Sequence, residues 1–132
     1  MQMRYLLFAV AVFLCCAGNV CGGTVEHYEG RASRCDEGDP ADVMMVLDLT
    51  GPEARGWYGE AGDGWRETWV MMPMQRVRYE GDTLDFRAVF DNGSVTAETN
   101  VSLERVGDAF EGQVDTRADN NDNRCDLLLD LI

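Results

Sequence analysis

The stretch SVTAETNVSLERV, residues 94–106, alternates apolar and polar side chains. One face would carry Val95, Ala97, Thr99, Val101 and Leu103, and the other face the polar residues between them. Neighbouring side chains of a β-strand point to opposite faces, whereas a helix repeats about every 3.6 residues, so a period of two indicates a strand. One apolar and one polar face is typical of an antiparallel sheet with one side buried.

Other parts of the chain repeat this alternation between short turns. TLDFRAVF (residues 83–90) and AFEGQV (109–114) have the same period, and DNG at residues 91–93 is a strong hairpin signal. Further strands are predicted in VEHYEGRASRC (25–35), VMMVLDL (43–49), RGWY (55–58), WRETWVMM (65–72), RVRYE (76–80) and CDLLLDLI (125–132). About eight short strands separated by turns predict an all-β sandwich or barrel.

Two cysteines favour the barrel. Cys35 is at the end of the first predicted strand, and Cys125 begins the last one. An up-and-down barrel closes by pairing its first strand with its last, which would bring these two residues together. We therefore predict a disulfide between Cys35 and Cys125, and a single antiparallel up-and-down β-barrel of about eight strands that this bond closes.

The N-terminal segment has the pattern of a signal peptide. It begins MQMR, continues with an apolar run of about a dozen residues, too short for a membrane span, and ends in small residues. Cleavage after Gly22 would leave Cys35 and Cys125 as a single pair, whereas cleavage after Ala17 would also leave Cys21. We predict a signal peptide at residues 1–22, a barrel domain at 23–132, and a secreted or periplasmic protein. A lipid anchor to the envelope is the alternative.

Charge and length limit the classes of partner. The chain has 132 residues, enough for one domain, and a net charge of −13. Nucleic acids need a basic surface, and anionic membranes also attract basic segments, so neither is an expected partner. We expect a monomer without a membrane span that binds an apolar small molecule or an envelope protein.

Three glycine-rich segments resemble a known family. GWYGE (residues 56–60), MPMQRVRYEGDTLDF (72–86) and LERVGDAFEGQV (103–114) resemble the hairpins of bacterial lipocalin-like, calycin-type secreted domains. Lipocalins place their Gly-x-Trp on the first strand, whereas Gly56 and Trp57 come later in this chain. The resemblance implies a barrel, and a lipocalin-like module for an apolar small molecule.

Aromatic residues and methionines are concentrated in one part of the chain. Such side chains suit an adaptable apolar pocket. The predicted ligand-binding residues are Trp57, Tyr58, Trp65, Trp69 and Met71. Core packing is the alternative role for these residues. VMMVLDL is apolar on both faces, so the alternative function is an envelope-associated interaction or inhibitor protein that has a packed interior and binds its partner on the outside.

The sequence offers few residues that could catalyse a reaction or bind a metal. His27 is the only histidine, so neither a zinc site with several histidines nor a triad away from His27 can be built, and the sequence predicts a non-enzyme without a cofactor. Acidic loops next to the two cysteines leave a calcium site as the alternative to a solvated surface. Its candidate ligands are Asp36, Asp39, Asp119, Asp122 and Asp126, with Glu37 beside them.

Overall fold

The computed structural model describes residues 23–38, 40–61, 70–91, 93, 96–118 and 121–132. These residues form nine strands: β1 (Val25–Ser33), β2 (Ala41–Asp48), β3 (Arg55–Ala61), β4 (Val70–Pro73), β5 (Gln75–Glu80), β6 (Thr83–Asp91), β7 (Thr96–Val106), β8 (Ala109–Ala118) and β9 (Asn121–Leu131). They belong to one antiparallel sheet in the order β4-β3-β2-β1-β9-β8-β7-β6-β5. The predicted all-β, up-and-down architecture is confirmed.

The first and last strands pair, as a barrel requires. Residues of β1 and β9 are matched from Tyr28 opposite Leu131 to Ser33 opposite Asp126. The two edges of the sheet, β4 and β5, are separated in the chain by Met74 alone, and the Met74 amide donates to the Gly56 carbonyl at 2.8 Å. One continuous segment therefore pairs first with β3 and then with β6, which leaves the barrel nearly closed.

The predicted disulfide is also confirmed. Cys35 and Cys125 are bonded, with their Cα atoms 4.0 Å apart. The Asp36 amide donates to the Arg124 carbonyl at 2.9 Å and ties the same loop to β9. This last strand begins at Asn121, four residues earlier than predicted, because its hairpin with β8 extends to the pair Ala118–Asn121. The N-terminal cysteines and the predicted signal peptide lie outside the described residues.

Inward positions follow the predicted alternation. Thr99, Val101 and Leu103 are buried, as are Leu84, Phe86, Ala88, Phe110 and Val114 on the neighbouring strands. The fully buried large side chains of the interior also include Tyr28, Met45, Leu47, Tyr58, Leu127 and Leu129. A continuous apolar core therefore fills the described part of the barrel and is the main source of its stability.

A polar group closes one end of the interior, here called the turn end, where the β5–β6 and β7–β8 turns lie. Arg105 sits over the ring of Phe110 at 4.6 Å and donates to the Tyr79 hydroxyl at 2.9 Å and to Glu26 at 3.1 Å. Tyr28 donates to Glu26 at 2.7 Å, and burial, helped by that bond, raises the pKa of Tyr28 to about 12. The charged side chain of Arg105 is thus satisfied inside the barrel.

Candidate functional site

The predicted ligand residues lie on both sides of the barrel wall. Trp57 and Tyr58 are neighbours in β3: Trp57 points outward with 41% of its surface exposed, whereas Tyr58 points inward and is fully buried. Met71 lies on the outer face of β4, where it is half-buried. Trp65 and Trp69 lie outside the described residues. The structure brings Trp57 and Met71 onto one face and separates Tyr58 from them.

An apolar strip crosses the outer surface of three strands. Val46 is opposite Trp57, and Trp57 is opposite Pro73; in the next row Met44 and Met71 flank a glycine. Side chains on directly opposite residues lie about 5 Å apart, so these rows are continuous. We call this surface the tryptophan face; its residues are Met44, Val46, Trp57, Met71 and Pro73. The sequence signal for it was the VMMVLDL run, apolar at consecutive positions.

The opposite half of the outer surface is polar. Arg124 donates to both carboxylate oxygens of Asp115, at 3.1 and 2.9 Å, and this contact lowers the pKa of Asp115. Arg117 pairs with Asp122 at 2.9 Å on the same strands. Such exposed pairs add little stability each, but they keep this half of the barrel hydrophilic. The tryptophan face is therefore distinct from this polar region, although Val25, Leu128 and Leu131 on β1 and β9 are also exposed apolar side chains.

A carboxyl group lies inside the barrel near the end opposite Arg105. The Tyr58 hydroxyl donates to Glu60 Oε2 at 2.5 Å, and the Tyr58 ring meets Phe86 edge to face at 5.5 Å. Burial raises the pKa of Glu60 above its ordinary value, although the Tyr58 hydrogen bond opposes this shift. The pKa of Tyr58 is raised as well, mainly by burial. Among the described residues, Tyr58 is the side chain that contacts Glu60, and the two form a polar contact next to the core.

Replacing Glu60 by glutamine is expected to make stability less dependent on pH. The folded-state pKa of Glu60 lies above the unfolded value, so this group favours folding most below the unfolded pKa, near 4.5, and loses that contribution as pH rises through the folded pKa. E60Q should therefore have a higher free energy of unfolding than the parent at pH 7, and a similar one at pH 4. Urea unfolding at both pH values measures this difference.

Glu80→Gln is the matched control, because Glu80 is exposed on β5 and lies opposite Thr83. It should leave the pH dependence unchanged. An E60Q protein that is less stable than the parent at pH 7 would contradict the burial of an ionised Glu60.

Two of the candidate calcium ligands pair with arginines in the structure. Asp126 pairs with Arg34 at 3.1 Å and Asp122 with Arg117 at 2.9 Å. Asp39 and Asp119 lie outside the described residues. Within the ranges that the structure describes, no three side chains of the metal-binding types are grouped to hold an ion. The calcium site stays a prediction.

Comparisons with known proteins do not assign this chain to a family. No protein-family model, curated protein or solved structure matches this chain. The lipocalin-like resemblance therefore stays a prediction. In the described ranges, no helix has the length and apolarity needed to cross a bilayer.

Proposed function

We propose that this protein is an exported interaction module that binds a partner protein through the tryptophan face. The observation that carries the proposal is the outward position of Trp57, with 41% of its surface exposed beside Val46 and Pro73. Tryptophan is enriched among the residues that contribute most to protein–protein binding. The N-terminal segment of residues 1–22, with its signal-peptide pattern, supports export to the periplasm or the medium.

The filled interior supports the same proposal. Met45 and Tyr58, the immediate neighbours of Met44 and Trp57 in the chain, are fully buried inside the barrel. The inner face of these strands is thus already covered by the protein's own core. Among the described residues of these strands, the apolar surface that a partner could still remove from water lies on the outer face.

An apolar small molecule is the second candidate ligand class. Ala32, Ala88 and Thr99 are small inward side chains toward the end opposite Arg105. Small side chains at one mouth of a barrel favour a ligand there. A carrier of this kind predicts saturable, one-to-one binding of a neutral dye such as Nile red that Trp57→Ala does not weaken. The absence of such binding would exclude it.

Photo-crosslinking in the cells that produce the protein tests the interaction proposal. Benzoylphenylalanine at position 57 should give one discrete adduct, because the partner covers this side chain. The same reagent at Gln113, exposed on β8, should give none. Met44→Arg places a charge in the apolar strip and should abolish the adduct while leaving the fold intact. Equal labelling from positions 57 and 113, or an adduct that survives Met44→Arg, would contradict the proposed interface.

A further inference from the structure

Two exposed carboxylates, Glu29 and Asp130, adjoin the tryptophan face. Glu29 on β1 lies directly opposite Met44 on one side and Asp130 of β9 on the other. Both acidic side chains are exposed. Neither belongs to any ion pair within the described part of the chain, whereas Arg31 and Asp42, in the adjoining row, pair at 2.8 Å. Like charges directly opposite each other destabilise a sheet slightly, so this pair does not contribute to the stability of the barrel.

The two carboxylates lie next to the apolar strip without a gap. The row that starts with Asp130 and Glu29 continues through Met44 and Gly59 to Met71. Trp57 lies in the next row, and the exposed ring of a tryptophan attracts cations as well as apolar groups. A partner that covers Met44 must approach Glu29 closely, and a cation on that partner would remove the repulsion between the two carboxylates.

A second copy of this chain is a poor occupant. With a net charge of −13, two copies repel each other, and a symmetric contact here would bring four uncompensated carboxylates together. A positively charged partner is attracted by the electrostatic field of this acidic protein, and the attraction speeds its association.

We propose that the partner presents a basic, apolar-tipped segment: an aliphatic or aromatic side chain for the strip formed by Trp57 and Met44, and an adjacent arginine or lysine for Glu29 and Asp130. This inference rests on the proposed function and names the chemistry of the partner. It predicts that binding weakens with added salt, because exposed charge pairs are screened.

A random peptide library displayed on phage provides the probe. Peptides are selected on the folded protein and counter-selected on Trp57→Ala, so that only binders of the tryptophan face remain. The expected sequences carry an apolar residue beside arginine or lysine. Acidic or uncharged sequences would overturn the inference about charge, and a selection without any binder would overturn the proposed function itself.

Two double variants of the protein then show which carboxylates contribute to binding of the strongest selected peptide. Glu29→Gln with Asp130→Asn should weaken binding about five- to tenfold, the size expected when two exposed charge contacts are lost, and should reduce the salt dependence. Glu104→Gln with Glu111→Gln removes a similar exposed, directly opposed carboxylate pair on β7 and β8, and should change binding less than about twofold. These substitutions are conservative and exposed, so both proteins should fold.

The outcomes separate the two proposals. Loss of binding in a variant carrying Met44→Ala and Met71→Ala, together with equal effects of the two double variants, would overturn the basic partner and retain the interface. Unchanged binding in the variant carrying Met44→Ala and Met71→Ala would overturn the interface. A dimer of the free protein that Trp57→Ala dissociates, measured by light scattering after size exclusion, would identify a second copy as the occupant and overturn the inference.

Discussion

Removing the Cys35–Cys125 disulfide is expected to lower the free energy of unfolding by about 2–5 kcal/mol. The bond spans 90 residues and joins the end of the first strand to the last strand, which are the two strands whose pairing closes the barrel. Without it, the unfolded chain gains the conformational freedom of a very long loop. Urea unfolding of the variant carrying both Cys35→Ala and Cys125→Ala measures the loss.

Reducing agent is the control for this prediction. It should lower the stability of the parent towards that of the double variant and leave the double variant unchanged. Two free thiols in unreduced protein, detected by alkylation and mass measurement, would contradict the bond. Equal stability of parent and variant would contradict its role in closing the barrel.

Truncating Phe110 to alanine is expected to cost about 3–5 kcal/mol. The Phe110 ring is fully buried, meets the rings of Tyr28 and Tyr79 edge to face at 5.2 and 6.1 Å, and lies under the Arg105 guanidinium. Its loss would leave a cavity at the turn end and remove the aromatic surface beneath a charged group. The midpoint of urea unfolding should fall accordingly, with little change in slope.

Val106→Ala is the matched control for Phe110→Ala. Val106 ends β7 close to the same turn but is 52% exposed, so its truncation should cost less than about 0.5 kcal/mol. A Phe110→Ala protein as stable as Val106→Ala would show that the turn end is not packed as described.

The alternation of inward and outward side chains along each strand accounts for most of what could be predicted about the barrel. The period of two placed Leu84, Phe86 and Ala88 inside correctly, and the position of Cys35 and Cys125 indicated which strands meet. The same alternation places Arg105 inside, two residues beyond Leu103, but charge alone suggests an exposed side chain. Its burial depends on partners 79 and 26 residues away in sequence, which no local pattern reveals.

Asp48 shows the opposite difficulty. The alternation along β2 assigns the Asp48 side chain to the outer surface, yet only 7% of its surface is exposed. The Thr50 hydroxyl and amide and the Arg55 guanidinium all donate to its carboxylate, and these contacts, those of Thr50 first, lower the pKa of Asp48. A turn that folds back on its own strand therefore covers a residue that alternation assigns to solvent.

The types of residue in the candidate site could be predicted from the sequence, but the directions of their side chains were not. Trp57, Tyr58 and Met71 were grouped because aromatic and thioether side chains suit apolar contacts. Consecutive residues of a strand cannot line one pocket, so Trp57 and Tyr58 could already have been separated from sequence alone. Which of them faces outward depends on the register with β2, where Val46 lies opposite Trp57.

Methyl NMR of the protein labelled at its methionines tests most directly whether this barrel acts through its outer surface. Met44 and Met45 are adjacent in β2; Met45 is fully buried in the interior, whereas Met44 lies on the tryptophan face with Met71. Adding a peptide selected on this face should shift the methyl signals of Met44 and Met71 and leave that of Met45 in place. Shifts of Met45 and of the buried Met74, with Met44 and Met71 unchanged, would place the ligand inside the barrel and contradict this account.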